Sequence, residues 1–497
     1  MMIDKTVQFI FECRNLLFTK SLSILRTYGR NIGVACPTTL SKSDLIDEII
    51  SILSNSKEAI LPSGRGAPVL DNRVDDKLVE EVHDLMLKYG LVELPPVVKV
   101  EEEPKAWKFS FDELFGPAKV SRSDRDSINK DRGDTNRIRF TGQLTTLKGV
   151  TYLLPLNCRE NMKVPVTIST IQTYGLRKGD VLNCFIEKQG DGYSISGIDT
   201  INGYSCENFK RKQDFEEKDV CLPIRKINTY AEAYNSVANK FMDWVVPFGR
   251  GHRALLSSPP KTGKTQFLHA VAESASALNT NLTTLVLLID QSPEVVGQFR
   301  KVLPKETFAF STYEDEPEYQ VFIAEYFLDR AKRLSECGQD VLLIVDSFNA
   351  LAHAFNEIDL SAGGKMLPCG LESKTIHYIK KFFGAARCFA GGGSLTILGA
   401  ASNETGNPAD DVIMSELDSI CNLEIYLKEE MSMRHLYPAI TASSVYAKYH
   451  ASMRYFDPTI LIKLHADKFM NADITTLYTL LSTSKNEDEF LNVILNS

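Results

Sequence analysis

The sequence predicts an α/β fold: a C-terminal nucleotide-binding domain on a mostly parallel sheet, preceded by a small antiparallel β-barrel and an N-terminal small helical domain. Three observations point to it. Residues 258–265 read Ser-Pro-Pro-Lys-Thr-Gly-Lys-Thr and lie between an apolar run (Ala254, Leu255, Leu256) and a helix-like segment from Gln266 to Val271. That strand–turn–helix order is what a nucleoside triphosphate site requires. Beyond Ile224 strands and helices alternate, and 285–290, 341–346 and 394–400 are nearly continuous apolar runs, the pattern of parallel strands buried on both faces. Between 140 and 203, short β-branched runs are separated by turn signals at Gly149, Asn157, Lys178-Gly-Asp180 and Gly192, a spacing typical of a small antiparallel barrel.

Taken in order, 20–55 forms the helical unit. Ser41 and Asp44 make a capping box, and Leu45, Ile46, Ile49, Ile50 and Leu53 repeat at helical spacing. Residues 56–139 read as a largely flexible linker: Pro/Gly-rich from 61 to 68, with a short helix over 77–89, then Pro/Glu-rich and mixed-charge chain without periodicity. The barrel is expected over 140–205 and the nucleotide domain over 224–497.

Composition narrows the class. The 497 residues are 43% hydrophobic and 24% charged, an ordinary globular balance, and the length allows about two to four domains. No stretch approaches the roughly 18 uninterrupted apolar residues of a membrane helix. Asp4, Lys5, Glu12 and Arg14 interrupt the apolar patches near the N-terminus, so no secretory signal is expected and the cytoplasm is the expected compartment. The ten cysteines are scattered without a Cys-x-x-Cys pair, which favours free thiols over metal or disulfides. A net charge of −8 disfavours non-specific coating of nucleic acid, while leaving room for a locally basic cleft.

The chemistry is concentrated in the second half. In 258–265 the backbone of Pro260, Lys261, Thr262 and Gly263 would surround phosphate oxygens, Lys264 would reach the β/γ-phosphates of ATP, and the Thr265 hydroxyl would hold Mg²⁺. The usual pattern opens with Gly where this chain has Ser258. Asp346 closes an apolar strand about 80 residues later; alone it would read as a cap of the next helix, but paired with the Lys264-Thr265 turn at that separation it is expected to join Thr265 on the metal. Asp290 closes another strand, placed to polarise water or to cap.

Further segments carry a family resemblance. Pro-Phe-Gly-Arg-Gly-His-Arg at 247–253 leads into the Pro-Pro-Lys-Thr-Gly-Lys-Thr turn. Leu-Leu-Ile-Asp at 287–290 precedes a Pro-Glu pair, and Lys-Phe-Phe-Gly-Ala-Ala-Arg at 381–387 precedes Gly-Gly-Ser-Leu-Thr-Ile at 392–397. Together these resemble the bacterial transcription termination factor Rho, from about 140 to 497 and most closely between 247 and 400. Residues 22–54 are similar to that family's helical domain and 140–203 to its oligonucleotide-binding (OB-like) barrel.

The resemblance implies a homo-hexameric ring of RecA-like subunits with ATP and Mg²⁺ between them. Such a ring captures nascent RNA on the barrels and moves it 5′→3′ through the pore as an RNA-dependent ATPase and helicase, with RNA polymerase as a further partner and no membrane. Tyr152 stands in the family's base-stacking segment, where Val150 has lost a second aromatic; barrel wall is its other reading. Arg177 and Lys178 either contact phosphate or solvate a turn. Lys365 matches a pore-loop phosphate contact, whereas Pro408 replaces the lysine of the second pore loop.

The catalytic half departs from the family. Gln291 stands where the family has a water-activating Glu, Ala350 and His435 each replace an Arg, and Lys448 replaces the arginine finger thirteen residues after His435. Glutamine orients water without accepting its proton, and lysine lacks the planar fork of arginine. Gln291, Asp290 and Lys448 are accordingly the catalytic candidates. The alternative expectation is an ATP-binding but hydrolysis-deficient RNA-binding ring with a regulatory role; a more distant one is a rotary ATP synthase subunit or a recombinase.

Overall fold

The computed structural model describes residues 2–32, 34, 40–54, 76–89, 137–147, 149–158, 162–189, 192–207, 209, 213–360, 366–441, 444–446 and 473–496. The chain divides into two units, 1–103 and 104–497.

The first unit is helical: α1 (Met2–Thr19), α2 (Leu22–Asn31), α3 (Lys42–Leu53) and α4 (Asp76–Tyr89). Residues three and four apart share a helix face, so Phe9, Cys13 and Leu17 of α1 meet Leu25 and Tyr28 of α2, Leu45, Ile46, Ile49 and Ile50 of α3, and Leu78 and Val82 of α4 in one core. The core thus draws on helices beyond both ends of 20–55. Ser41 caps α3 as its residue type predicts: its Oγ accepts from the Asp44 N–H and donates to Asp44 Oδ2 at 2.6 Å.

The second unit opens with six antiparallel strands: β1 (Arg137–Leu147), β2 (Val150–Pro155), β3 (Val164–Pro165), β4 (Val181–Gln189), β5 (Gly192–Ile201) and β6 (Tyr204–Ser205). They lie in the order β3-β2-β1-β4-β5-β6, and the sheet curls until β3 lies near β5. Gly149 supplies the positive φ that the β1–β2 turn needs. A short helix, α5 (Ile168–Tyr174), follows β3, and Leu144, Leu153, Val164, Leu182, Cys184, Ile186 and Ile201 fill the interior.

A connector carries β7 (Val220–Cys221) to a nine-stranded sheet whose other strands are β8 (Arg253–Ser258), β9 (Leu282–Gln291), β10 (Phe308–Thr312), β11 (Asp340–Asp346), β12 (Arg387–Phe389), β13 (Ser394–Ser402), β14 (Leu423–Tyr426) and β15 (Val445–Tyr446). The order β10-β9-β11-β13-β8-β14 is parallel throughout; β15 and β12 add antiparallel edges, with β7 on β12.

The helices of this part are α6 (Val237–Lys240), α7 (Lys264–Leu278), α8 (Pro293–Val302), α9 (Pro317–Glu336), α10 (Phe348–Leu360), α11 (Ser373–Phe383), α12 (Pro408–Ile420), α13 (Glu429–Met433), α14 (Thr476–Thr483) and α15 (Glu487–Asn496). Strand alternation divides the core in two. Val286, Leu288, Leu342 and Ile344 face α7 and α8, where Phe267, Leu268, Val271 and Phe299 pack. Leu285, Leu287, Val341 and Leu343 face α9 to α12, against Phe322, Phe327, Phe348, Phe382 and Leu417. Strands buried on both faces are apolar along their length, and β11 is buried from Asp340 to Asp346 with only its two end residues charged. Among the described residues no helix is long and apolar enough to cross a membrane.

Candidate nucleotide site

The carboxyl ends of β8, β9, β11 and β13 lie side by side, where open parallel sheets place their ligands. From β8 the chain turns through 259–263 into α7. Lys261 (φ +64°) and Gly263 (φ +90°) adopt left-handed backbone, which curls the turn so that successive N–H groups face one concavity. A Cβ at Gly263 would sit 2.9 Å from Tyr437 Cδ1, so this position needs glycine for space as well as for φ.

Ser258 explains its own departure from the usual glycine. Its buried Oγ lies 2.6 Å from Thr262 Oγ1 and 2.9 Å from the Pro259 carbonyl, and Thr262 Oγ1 donates to that same carbonyl at 2.9 Å. These hydroxyls close the base of the loop. The Thr262 side chain is therefore structural, leaving its backbone for phosphate. Lys264 Nζ donates to Ser258 Oγ at 2.9 Å and to the Pro259 carbonyl at 3.1 Å. Burial lowers the Lys264 ammonium to about 8, opposed by the nearby Asp346 carboxylate. Pro260 and Lys261 are exposed at the tip.

Thr265 and Asp346, 81 residues apart, meet: Thr265 Oγ1 donates to Asp346 Oδ2 at 2.7 Å. Burial raises the Asp346 carboxyl above its ordinary range, while Thr265 and Lys264 pull it down. A hydroxyl and a carboxylate oxygen are hard donors that suit Mg²⁺. Among the described residues no cluster of three or more His, Cys, Asp or Glu could hold a metal alone, so this pair fits an ion completed by water and phosphate oxygens.

Of the water-activating candidates, Gln291 is in the site. Its Nε2 lies 3.3 Å from the Ile289 carbonyl and 3.5 Å from the Asp346 carbonyl. Asp290 is exposed, with φ +56° and its N–H bonded to Ser311 Oγ at 3.0 Å. A register shift between β9 and β10 opposite these residues separates their directions. Ala350 packs on α10 against the core. His435 is exposed, in left-handed backbone. Lys448 and Lys365 lie outside the described residues.

Several participants came from tertiary structure alone. The ring of Tyr437 stands over Gly263, and its hydroxyl lies 3.1 Å from Ser432 Oγ, which in turn donates to the Lys261 carbonyl at 3.0 Å. At 38% exposure Tyr437 offers an open aromatic face beside the phosphate loop. In the sequence its mark was its place in the Arg-His-Leu-Tyr-Pro-Ala-Ile segment at 434–440. At the end of β13, Asn349 bonds both the N–H and the carbonyl of Ser402 and, at 2.7 Å, Asp410 Oδ1. Asp410 also accepts from His353 Nε2 (2.8 Å) and Thr405 Oγ1 (2.6 Å), tying the loop after β13 to α10 and α12. Pro408 is the first residue of α12, behind the Asn407 cap, where a missing N–H is harmless.

Of the residues expected to contact RNA, Tyr152, Arg177 and Lys178 lie on or beside the curled sheet. Tyr152 is half-buried, opposite Thr145 and Pro165, and packs against the core of the large sheet. Arg177 and Lys178 are both ion-paired. Arg177 pairs with Asp214 and, at 2.9 Å, with Glu336; Lys178 pairs with Asp329 at 3.0 Å and Glu325 at 3.6 Å. These pairs join the curled sheet to α9, whose carboxylates the local turn sequence could not reveal.

Residues 238–446 match the nucleotide-binding domain of the ATP synthase alpha/beta family. The transcription termination factor Rho of Chromobacterium violaceum is 35% identical over 55% of this chain and 66% of its own length. That of Pseudomonas fluorescens biotype C is 34% identical over 65% of this chain and 79% of its own. That of Bacillus subtilis is 33% identical over 59% and 69% respectively. A solved ATPase from a type III secretion system matches with TM-score 0.44 and 17% identity over 56% of this chain and 86% of that one.

Proposed function

The chain belongs to the family of the transcription termination factor Rho, and from that premise we propose that it is an ATP-hydrolysing, RNA-binding ring that ends transcription by moving 5′→3′ along nascent RNA. The observation that carries the nucleotide half is the Thr265–Asp346 contact at 2.7 Å beside Lys264. Lys264 exchanges the Ser258 and Pro259 oxygens for β/γ-phosphate oxygens, whose charge favours the ammonium that burial weakens. Thr265 and Asp346 would hold Mg²⁺, which supplies charge neutralisation across the phosphates. The exposed face of Tyr437 suits a stacked base.

Gln291 orients the attacking water and leaves its proton to solvent or phosphate, so the chemical step runs slower than with a carboxylate there, by about 10²–10⁴-fold. Lys448 from a neighbouring copy adds positive charge without a planar fork. On this reading six copies form the ring, the curled sheet with Tyr152 is an OB-like RNA-capturing barrel, Lys365 touches RNA in the pore, RNA polymerase is a further partner and the cytoplasm is the compartment.

ATP turnover by the purified protein with and without poly(C) RNA, alongside transcript lengths from a templated polymerase reaction, tests this. RNA-stimulated turnover and shortened, released transcripts are expected. Turnover indifferent to RNA, with full-length transcripts only, would refute it.

A further inference from the structure

Two cysteines outside the nucleotide site face each other across the connector. Strand β7, on the path from the curled barrel sheet to the large one, pairs antiparallel with β12, placing Cys221 opposite Cys388 and Val220 opposite Phe389. The Ala390 N–H continues the ladder to the Asp219 carbonyl at 3.0 Å. The two Sγ atoms are 3.1 Å apart, about 1 Å beyond a disulfide bond, and directly opposed residues of an antiparallel pair are close enough to be bridged. Cys221 is exposed, whereas Cys388 is buried at 5% exposure.

We propose that Cys221 and Cys388 are a peroxide-oxidisable pair whose disulfide staples the connector to the large sheet. Cys221, open to solvent, meets a hydroperoxide first. Its thiolate sulfur attacks one peroxide oxygen, the O–O bond breaks, and water or an alcohol leaves, giving the sulfenic acid. The Cys388 sulfur then attacks Cys221 Sγ, the S–O bond breaks, and water leaves with the Cys388 proton. In sum, two thiols and one hydroperoxide give a disulfide, an alcohol (water, for hydrogen peroxide) and a further water. A dithiol reductant reverses the step by exchange.

The surroundings fit this division of roles. Burial, then the Cys221 contact, pushes the Cys388 thiol up to about 12, with the Arg225 guanidinium opposing. Cys388 is thus poorly reactive toward a free oxidant; what places it to resolve the Cys221 sulfenic acid is its Sγ, 3.1 Å from Cys221 Sγ. The position is also mechanically connected: β12 leads into β13, and Gly251, just before β8, has no room for a Cβ because Cys388 N would be 2.6 Å away. The link would fix the connector at the end of the sheet opposite the phosphate loop.

The test uses the reduced full-length chain, treated with graded hydrogen peroxide, quenched with a thiol alkylator and mapped by mass spectrometry without reductant. A peptide pair joined through Cys221 and Cys388, cleaved by dithiothreitol, is expected. Amide exchange over 219–224 should slow in the oxidised protein. In Cys388→Ser, Cys221 should stop at the sulfenic acid and react with dimedone, and in Cys221→Ser, Cys388 should stay reduced. Conversion of Cys221 to the sulfinic acid in the native chain without a link to Cys388 would overturn the proposal, as would a link from Cys221 to a different cysteine. Exchange over 219–224 that does not change on oxidation would overturn the stapling.

Discussion

At the residue scale the phosphate loop trades stability for binding. Lys264 is lowered from the ordinary 10.5 to about 8 by burial, so between those values the unfolded chain holds more protons than the folded one. Stability contributed by this group therefore rises as pH climbs from about 8 toward 10.5, and at neutral pH the buried ammonium costs up to about 3 kcal/mol. Lys264→Met should abolish ATP binding while flattening that slope, which urea unfolding of both proteins at pH 8 and pH 10 will read. Gln291 tests the other half of the site. Gln291→Glu places a carboxylate beside the Asp346 carbonyl and should raise single-turnover hydrolysis by about 10²-fold; an unchanged rate would show that another group handles the proton.

At the element scale, caps and hubs fix where helices begin and where loops sit. Replacing Ser41, the cap of α3, with Ala should cost the helical unit about 1 kcal/mol, seen in its thermal unfolding. Asp410 holds more. Burial alone would raise its carboxyl, but hydrogen bonds from Asn349, Thr405 and His353 outweigh burial and keep it below the ordinary range. A depressed carboxyl contributes stability above the usual carboxylate range and loses it as pH falls through its folded value. Asp410→Ala should remove that acid-labile contribution and cost about 1–3 kcal/mol, with faster amide exchange over 403–407 as the specific sign.

At the scale of the molecule, the curled sheet is fastened to the large one by α9. The Tyr326 hydroxyl donates at 3.1 Å to the carbonyls of Leu154 and Pro155, while Gln143 Nε2 donates to the Tyr326 carbonyl at 2.6 Å. Arg177 and Lys178 pair with carboxylates of the same helix. Tyr326→Phe removes the one hydroxyl proton that the Leu154 and Pro155 carbonyls share and should cost about 1–3 kcal/mol, with faster exchange in β1 and β2 while the phosphate-loop helix is unaffected.

The sequence by itself determined whatever is encoded by neighbours along the chain. The turn 258–265 announces its chemistry because backbone, Lys264 and Thr265 are contiguous. The apolar runs announce β9, β11 and β13 because doubly buried strands admit no alternation. Ser41 announces α3 because a cap acts within three residues. Only the tertiary structure decided what depends on partners distant in sequence. It set Tyr437 over Gly263, made Ser258 a clasp and gave Asp410 three side-chain partners from α10 and the loop after β13. It also paired Arg177 and Lys178 with carboxylates of α9. A charged side chain carries no local signal of its counter-ion, because Coulomb attraction and burial depend on distance in space, which the fold alone sets.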